Sequence, residues 1–175
     1  MSELMRAQAF CIAAHCAVGQ KRKYTGEDYH LHPIEVAELI QQHATTFTEE
    51  MIVAAHLHDV VEDTQVRLSI IEQQFGTVVA SYVEQLTDVS RPEDGNRSAR
   101  KAIDLAHTAL SSPQAKTIKL ADLISNTKSI VERDPVFAVT YLAEKRKLLE
   151  VLKEGDQNLY RIAYDLAYSQ TLNPA

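Results

Sequence analysis

The stretch VAAHLHDVVEDT, residues 53–64, begins like the interior of a helical protein and then places two histidines and three carboxylates within eight residues. A charged group in an apolar run costs several kcal/mol unless it is neutralised, paired or bound to a metal. On a helix, residues four apart share a face, so His58 is predicted above Glu62 and Asp59 above Asp63. In each of these pairs, the first residue is of a type that binds metals and the second is a carboxylate one turn later. This arrangement separates metal binding from proton transfer.

The rest of the sequence has helical spacing almost throughout, with apolar residues every three or four positions and no sustained strand-like alternation. Pro33 fits a first helical turn, Thr48 fits an N-cap, and Gly76 and Gly155 fit helix C-termini. The polar stretch DVSRPEDGNRSARK from Asp88 predicts a loop that enters a helix. The sequence thus predicts an all-α fold of short helices. The predicted segments are 4–18, 34–40, 51–61, 68–75, 78–86, 99–110, 115–124, 137–152 and 158–168.

Length and composition limit the class of protein. The 175 residues, 45% of them hydrophobic, suffice for a single domain spanning 1–175. The first residues and the short apolar stretch containing His15 predict a helix, not a signal peptide or a membrane anchor. A net charge of -6 argues against nucleic-acid binding. Cys11 and Cys16 lie on different sides of the first helix and so do not face each other for a disulfide, which suits a reducing cytoplasm. Assembly into a homo-oligomer is left open.

Two further stretches supply candidate metal ligands, because an HD pair alone provides only two. In YHLHPIEVAELI, His32 directly precedes a proline-started helix, and in KLADLISN, Asp122 follows two apolar residues. The basic run QKRKY, residues 20–24, places cations just before the loop that leads to His32, where they are available to a phosphate group.

At these places the chain resembles the HD-domain phosphohydrolases, and within them the hydrolase domain of the RelA/SpoT alarmone enzymes and the stand-alone small alarmone hydrolases. The resemblance covers about residues 9–126 and implies an HD-domain helical bundle, with 127–175 as C-terminal packing helices. It rests on RKYTGEDYHLHPIEVA, AAHLHDVVEDT, FGTVVASYVEQLTD and KTIKLADLISN, which occur in the family's order and at family-like spacings.

The resemblance also implies a role for particular residues. In the family the metal is typically Mn²⁺, and the matching ligands here are His32, His58, Asp59 and Asp122. The acidic pair after the HD dipeptide, Glu62 and Asp63, is implicated in water activation and leaving-group protonation, and the sequence leaves open which residue does which. A bound cation lowers the pKa of water towards ~7 and offsets charge on the attacked phosphorus. Arg22, Lys23 and Asn126 match residues that face the nucleotide.

The implied activity is Mn²⁺-dependent hydrolysis of the 3′-diphosphate of guanosine alarmones, ppGpp and pppGpp, which releases pyrophosphate and GDP or GTP. Leu123, Thr127 and Lys128 depart from the usual family residues near the nucleotide. These departures keep a related substrate open, either a ppApp-type alarmone or the 2′-phosphate of NADPH. A non-catalytic nucleotide sensor is a third hypothesis, and the intact pair Glu62 and Asp63 argues against it.

The remaining polar and aromatic residues are interpreted as structural. His56 lies two residues from His58 and so points to nearly the opposite side of the helix, which favours a core position or a supporting contact behind the metal ligands. Lys119 is predicted to pair with carboxylates or phosphate. Core or surface packing is expected for His15, His30, His43 and His107. Three tyrosines could line a pocket, but core packing is the default expectation for them: Tyr24, Tyr29 and Tyr141. A packing face, against the core or another subunit, is expected for Tyr160, Tyr164 and Tyr168.

Overall fold

The protein is described by a computed structural model over residues 1–169, and this part of the chain contains nine α-helices and no β-strand. The all-α prediction is therefore confirmed. The helices are α1 (Glu3–Ala17), α2 (Leu31–His43), α3 (Glu49–Leu57), α4 (Val60–Asp63), α5 (Leu68–Leu86), α6 (Arg97–Ala109), α7 (Pro113–Arg133), α8 (Pro135–Val151) and α9 (Gln157–Tyr168). The predicted single domain extends to residue 175, and its last residues, 170–175, lie outside the described range.

Short polar side chains begin most of these helices. Each accepts a hydrogen bond from a backbone N–H of the first turn, which would otherwise have no partner within the helix. Proline follows the cap at the start of α7 and of α8, where its missing N–H costs nothing. The capping residues are Ser2, Thr48, Asn96, Ser112, Asp134 and Asp156.

The predicted continuous helix over 51–61 is wrong in one respect that matters for the site. Helix α3 ends at Leu57 and α4 begins at Val60. The break falls at His58 and Asp59, because a ψ of -5° at Asp59 turns the next peptide out of the helical ladder. The amide of Asp63 still donates to the Asp59 carbonyl over 2.9 Å, so the one-turn spacing of these two residues is kept.

Helix α3 lies at the centre of the fold. All of its residues from Met51 to Leu57 are buried, and it packs against α1, α2, α5 and α7. A second, smaller group of buried residues joins the C-terminal half of α7 to α8 around Tyr141. Within residues 1–169, none of the helices combines the length and apolar character needed to cross a bilayer. The buried α3 thus carries the HD dipeptide out of the core, towards α2 and α7.

The glycines fit their predicted places. Gly76 has φ 86° and ψ 167°, so it interrupts α5 between the two predicted segments. A side chain at this position would be strained, because L-residues rarely adopt a positive φ. Gly155 follows the end of α8 and packs against Leu120 of α7, where an added Cβ would lie 2.8 Å from the Leu120 Cδ1 atom. This close approach brings α9 onto α7.

Candidate active site

Three separate parts of the chain meet in a cluster of two histidines and two aspartates. His32 comes from the first turn of α2, His58 and Asp59 from the break between α3 and α4, and Asp122 from the middle of α7. The Nε2 atom of His32 lies 3.1 Å from Asp122 Oδ1 and 3.6 Å from Asp59 Oδ2. The Nε2 atom of His58 lies 3.1 Å from Asp59 Oδ2 and 3.9 Å from Asp122 Oδ1. All four residues predicted as metal ligands therefore lie together.

Hydrogen bonds on the far side of each imidazole ring hold the cluster in this orientation. The Nδ1 of His32 is 2.9 Å from Ser125 Oγ, which donates in turn to the Glu35 carboxylate over 2.6 Å. The Nδ1 of His58 donates to the Ala55 carbonyl over 2.8 Å. Both Nε2 atoms consequently face the aspartates, in the arrangement that metal-binding histidines adopt. Among the described residues, the buried His58 Nε2 has no hydrogen-bond partner of good geometry.

The electrostatics of the cluster favour a positive charge at its centre. Burial by itself lowers the pKa of His58, but the carboxylates of Asp59 and Asp122 outweigh burial and raise it to about 9. Burial also opposes ionisation of Asp122, yet Lys119 and His32 hold the pKa of its carboxyl well below the usual range. Two carboxylates and two imidazoles, one of which has an unpartnered Nε2 atom, fit a divalent transition metal, which prefers this mixture of nitrogen and oxygen ligands.

The two carboxylates after the HD dipeptide lie in different surroundings. The Glu62 residue is exposed, but its carboxylate accepts a hydrogen bond from the Asp88 amide over 3.0 Å. Partial desolvation there and the negative charge of Asp88 raise the pKa of Glu62 to about 7. Asp63 turns towards the segment that follows α1, where it accepts from Gln20 Nε2 over 2.9 Å, and its burial raises its pKa. The pair thus offers two carboxyl groups with separate hydrogen-bond partners.

Two contacts to the carboxylates of Asp59 and Asp63 were missed by the sequence-based reasoning. Tyr29 was expected to pack in the core, yet its hydroxyl donates to Asp59 Oδ2 over 2.7 Å. Gln20 Oε1 lies 2.7 Å from the Nδ1 of His15 while its Nε2 donates to Asp63. The local signal is their closeness to the QKRKY run, which Gln20 begins and Tyr29 follows, since nothing in their own spacing indicates which helix they contact.

The residues predicted to face a nucleotide are only partly brought together. Arg22 lines a cavity of about 190 Å³ beside His32 and donates to Ser129 Oγ over 3.3 Å. Asn126 donates to Asp122 Oδ1 over 2.6 Å and so lies at the edge of the histidine–aspartate cluster. Lys23 does not line that cavity. Its ammonium lies instead 4.8 Å from the centre of the Tyr24 ring.

Two predictions about neighbouring residues are confirmed. Lys119 pairs with a carboxylate, with its Nζ atom 3.1 Å from Asp122 Oδ2. His56 is buried in α3 away from the cluster, and burial lowers its pKa to about 4. His56 is therefore neutral at physiological pH and belongs to the core.

The fold and the cluster define an all-α protein with a histidine–aspartate centre suited to a metal. The sequence profile of the HD domain matches residues 7–148, and the chain belongs to this family. A Drosophila melanogaster protein named guanosine-3′,5′-bis(diphosphate) 3′-pyrophosphohydrolase MESH1 is 36% identical over 146 residues, which cover 80% of each chain. A pyrophosphohydrolase of the same name from Aquifex aeolicus, without the MESH1 suffix, is 33% identical over 128 residues. This match covers 73% of the present chain but 18% of the Aquifex protein, so the chain spans under a fifth of that relative.

A solved structure has the same fold over nearly the whole chain. It is that of a metazoan SpoT ortholog that hydrolyses ppGpp and plays a role in starvation responses. The TM-score is 0.86 at 27% sequence identity, and the match covers 98% of this chain and 97% of the other. The prediction of an HD-domain protein related to the stand-alone alarmone hydrolases is therefore confirmed.

Proposed function

We propose that the protein hydrolyses the 3′-diphosphate of guanosine alarmones, with water as the second substrate, and releases pyrophosphate and GDP or GTP. The observation that carries the proposal is the convergence of His32, His58, Asp59 and Asp122 beside the carboxylates of Glu62 and Asp63. The likeness to a ppGpp-hydrolysing SpoT ortholog over the whole fold supports the choice of substrate.

The four clustered residues are proposed to hold one divalent cation, Mn²⁺. Its ligands would be Nε2 of both histidines, Oδ2 of Asp59 and Oδ1 of Asp122. Each histidine nitrogen lies 3.1 to 3.9 Å from the two aspartate oxygens. A divalent cation supplies Lewis-acid polarisation of a phosphate and lowers the pKa of water. Tyr29 and Ser125 restrain two of these ligands. The Tyr29 hydroxyl donates to Asp59, and the Ser125 hydroxyl is hydrogen-bonded to Nδ1 of His32.

Glu62 and Asp63 are proposed to move the protons that hydrolysis requires. Water must lose a proton as it attacks, and the 3′-oxygen must gain one as its bond to phosphorus breaks. The pKa of Glu62, raised to about 7, makes both of its protonation states available near neutral pH. The hydrogen bond from Gln20 fixes the direction of the Asp63 carboxylate. A pure sensor has no need of such a pair.

The nucleoside is proposed to lie on the Arg22 side of the cluster. Arg22 offers a planar cation that stacks on a base or contacts a phosphate. Asn126 presents its amide beside Asp122. Lys23 is exposed at the same end of the molecule and is proposed to contribute charge near the nucleotide. Two free cysteines and an acidic net charge agree with a cytoplasmic location. We also propose that residues 1–175 act as one domain.

The test is turnover of Mn²⁺-loaded protein against ppGpp, ppApp and NADPH in parallel, with products separated by anion exchange and with chelator-treated protein as a control. Metal-dependent release of pyrophosphate from ppGpp is expected. Turnover of only ppApp or NADPH would change the proposed substrate but not the proposed metal-dependent hydrolysis. Turnover of none of the three would favour a nucleotide sensor. Arg22→Met should lower activity on the true substrate, whereas Arg161→Met, on the exposed side of α9, should not.

A further inference from the structure

A second cavity lies between α6, α7 and α8, on the other side of Lys119 from the histidine–aspartate cluster. Its volume is about 550 Å³, and we call it the cation-lined cavity. Five of its lining residues are basic and three are acidic, and Lys119 belongs both to this cavity and to the ion pair with Asp122. The basic residues are Arg97, Lys101, Lys119, Lys145 and Lys147.

Three of these cations are already paired. Arg97 makes a two-point ion pair with Glu144, with both distances 2.8 Å. Lys101 lies 2.8 Å from Asp88 and 3.5 Å from a second aspartate of the cavity. Lys119 is satisfied by Asp122. The pairing leaves positive charge on the wall formed by α8.

Of the two lysines that remain on that wall, Lys147 is exposed to solvent and Lys145 is the one withdrawn from it. Among residues 1–169 it has no ion pair and no hydrogen bond, and its ammonium lies 4.7 Å from the centre of the Tyr141 ring. It is half-buried, and burial together with the charges of Lys119 and Lys101 lowers its pKa to about 8. A desolvated cation beside two like charges is unfavourable in the free protein and becomes favourable when an anion enters.

Helix α7 orders the three polar regions along its axis. Ser129 and Ser125 line the Arg22 cavity, Asp122 belongs to the histidine–aspartate cluster, and Lys119 faces the cation-lined cavity. With a rise of about 1.5 Å per residue, the ten-residue interval from Ser129 to Lys119 spans about 15 Å. A nucleoside on the Arg22 side with its attacked phosphorus at the cluster therefore directs its more distant phosphate towards the lysines.

We propose that the cation-lined cavity binds the distal phosphate of the substrate's 3′-diphosphate, and the pyrophosphate product, and that Lys145 is the cation kept for it. This inference rests on the proposed function. In the reaction, water oxygen bonds to the phosphorus attached to the 3′-oxygen, the bond from that phosphorus to the 3′-oxygen breaks, and the 3′-oxygen takes a proton. Both phosphates leave together as pyrophosphate. A substrate with a single phosphate has no group that reaches Lys145.

Calorimetric titration of the metal-loaded protein with inorganic pyrophosphate and with orthophosphate tests this site. Wild type is expected to bind pyrophosphate more tightly than orthophosphate. Lys145→Met should weaken pyrophosphate binding by about tenfold, the scale of one charge-assisted hydrogen bond, and leave orthophosphate binding unchanged. Lys145→Arg should restore most of the affinity. The matched control is Lys153→Met, because Lys153 is exposed and pairs with Glu150 outside the cavity.

Pyrophosphate binding by Lys145→Met that equals wild type would overturn the inference. Thermal melting checks that this variant folds, and little loss of stability is expected because the change removes an unpaired, partly buried charge. Turnover of ppGpp is measured separately. Turnover without Lys145-dependent pyrophosphate binding refutes the cavity inference alone, and Lys145-dependent binding without ppGpp turnover refutes the proposed function alone.

Discussion

The histidine–aspartate cluster and the cation-lined cavity are neighbours with opposite charge. In the cluster, two carboxylates and two imidazoles face one another, and the charge that would stabilise them is positive. In the cavity, lysines and an arginine outnumber the acids, and the missing charge is negative. Lys119 and Asp122, one turn apart on α7, mark the border between them. The two adjoining places are thus complementary to ligands of opposite charge, the cluster to a cation and the cavity to an anion.

The largest effect is expected from removing a carboxylate from the cluster, because this removes the negative charge that distinguishes the cluster from the cavity. Asp59→Ala is expected to lose bound metal and turnover together, because Asp59 Oδ2 faces both imidazoles. Metal content by atomic emission and ppGpp turnover are the measurements. Asp165→Ala, an exposed change on α9, is the control. A variant at Asp59 with stoichiometric metal and full activity would remove this residue from the proposed ligands.

A change beside the cluster separates metal binding from proton transfer. Glu62→Gln should retain the metal and the fold and lower kcat by on the order of a hundredfold or more, the usual scale for acid–base catalysis. Steady-state kinetics and metal analysis on one preparation measure both effects. Glu72→Gln, on the exposed face of α5, provides the same chemical change away from the site. Undiminished kcat in the Glu62 variant would exclude it from the mechanism.

A smaller effect is expected behind the cluster. Ser125→Ala removes the partner of His32 Nδ1 and leaves Glu35 without its hydroxyl donor. Loss of such a supporting contact typically lowers metal affinity by about 10- to 100-fold. Titration with Mn²⁺ followed by electron paramagnetic resonance gives the affinity, with Ser81→Ala on α5 as the matched control. An unchanged dissociation constant would show that the ring of His32 is held without Ser125.

The smallest expected effect is the pH dependence of the cation-lined cavity. Lys145 faces Lys119 and Lys101, which lower its pKa, and Asp122 and Asp88, which raise it, and burial brings the net value to about 8. An anion binds the charged form, so pyrophosphate affinity should fall as pH rises through about 8.

The Lys145→Arg protein separates this titration from that of pyrophosphate itself. A guanidinium stays charged across this range, so the variant should lose severalfold less affinity between about pH 7 and about pH 9 than wild type. Calorimetry at a series of pH values compares the two proteins. Parallel pH profiles would mean that Lys145 does not titrate in the binding step.

The sequence anticipates the helices more completely than the contacts between them. Apolar spacing and caps such as Thr48 are local, so they predict where helices begin. The break at Asp59 is not local, since it coincides with contacts to His32 on another helix. Helix α7 also runs to Arg133, past the predicted 115–124, because its second half buries residues against α8 that the short apolar pattern did not reveal.

The same division applies to the site. The four clustered residues fall in recognisable motifs, and the resemblance to a family supplied their grouping. Tyr29 and Ser125 reach the cluster across 30 and 93 positions of sequence, where no periodicity links them to it. Lys145 was missed for a related reason, because a lysine on an amphipathic helix is ordinarily a solvated charge. Only the packing of α8 on α6 and α7 withdraws it from water.

Helix α7 has a mechanical consequence beyond the contacts it provides. Lys119 and Asp122 belong to one continuous, hydrogen-bonded helix, so the distance between their backbone positions does not adjust as it would in a flexible loop. Under the proposed phosphate binding, the helix fixes the distance from the histidine–aspartate cluster to Lys119 on the attacked side of the nucleotide. Lengthening or shortening that side by one phosphate would move a charge away from the lysines of the cavity. Substrates would then be selected by phosphate number without a conformational change.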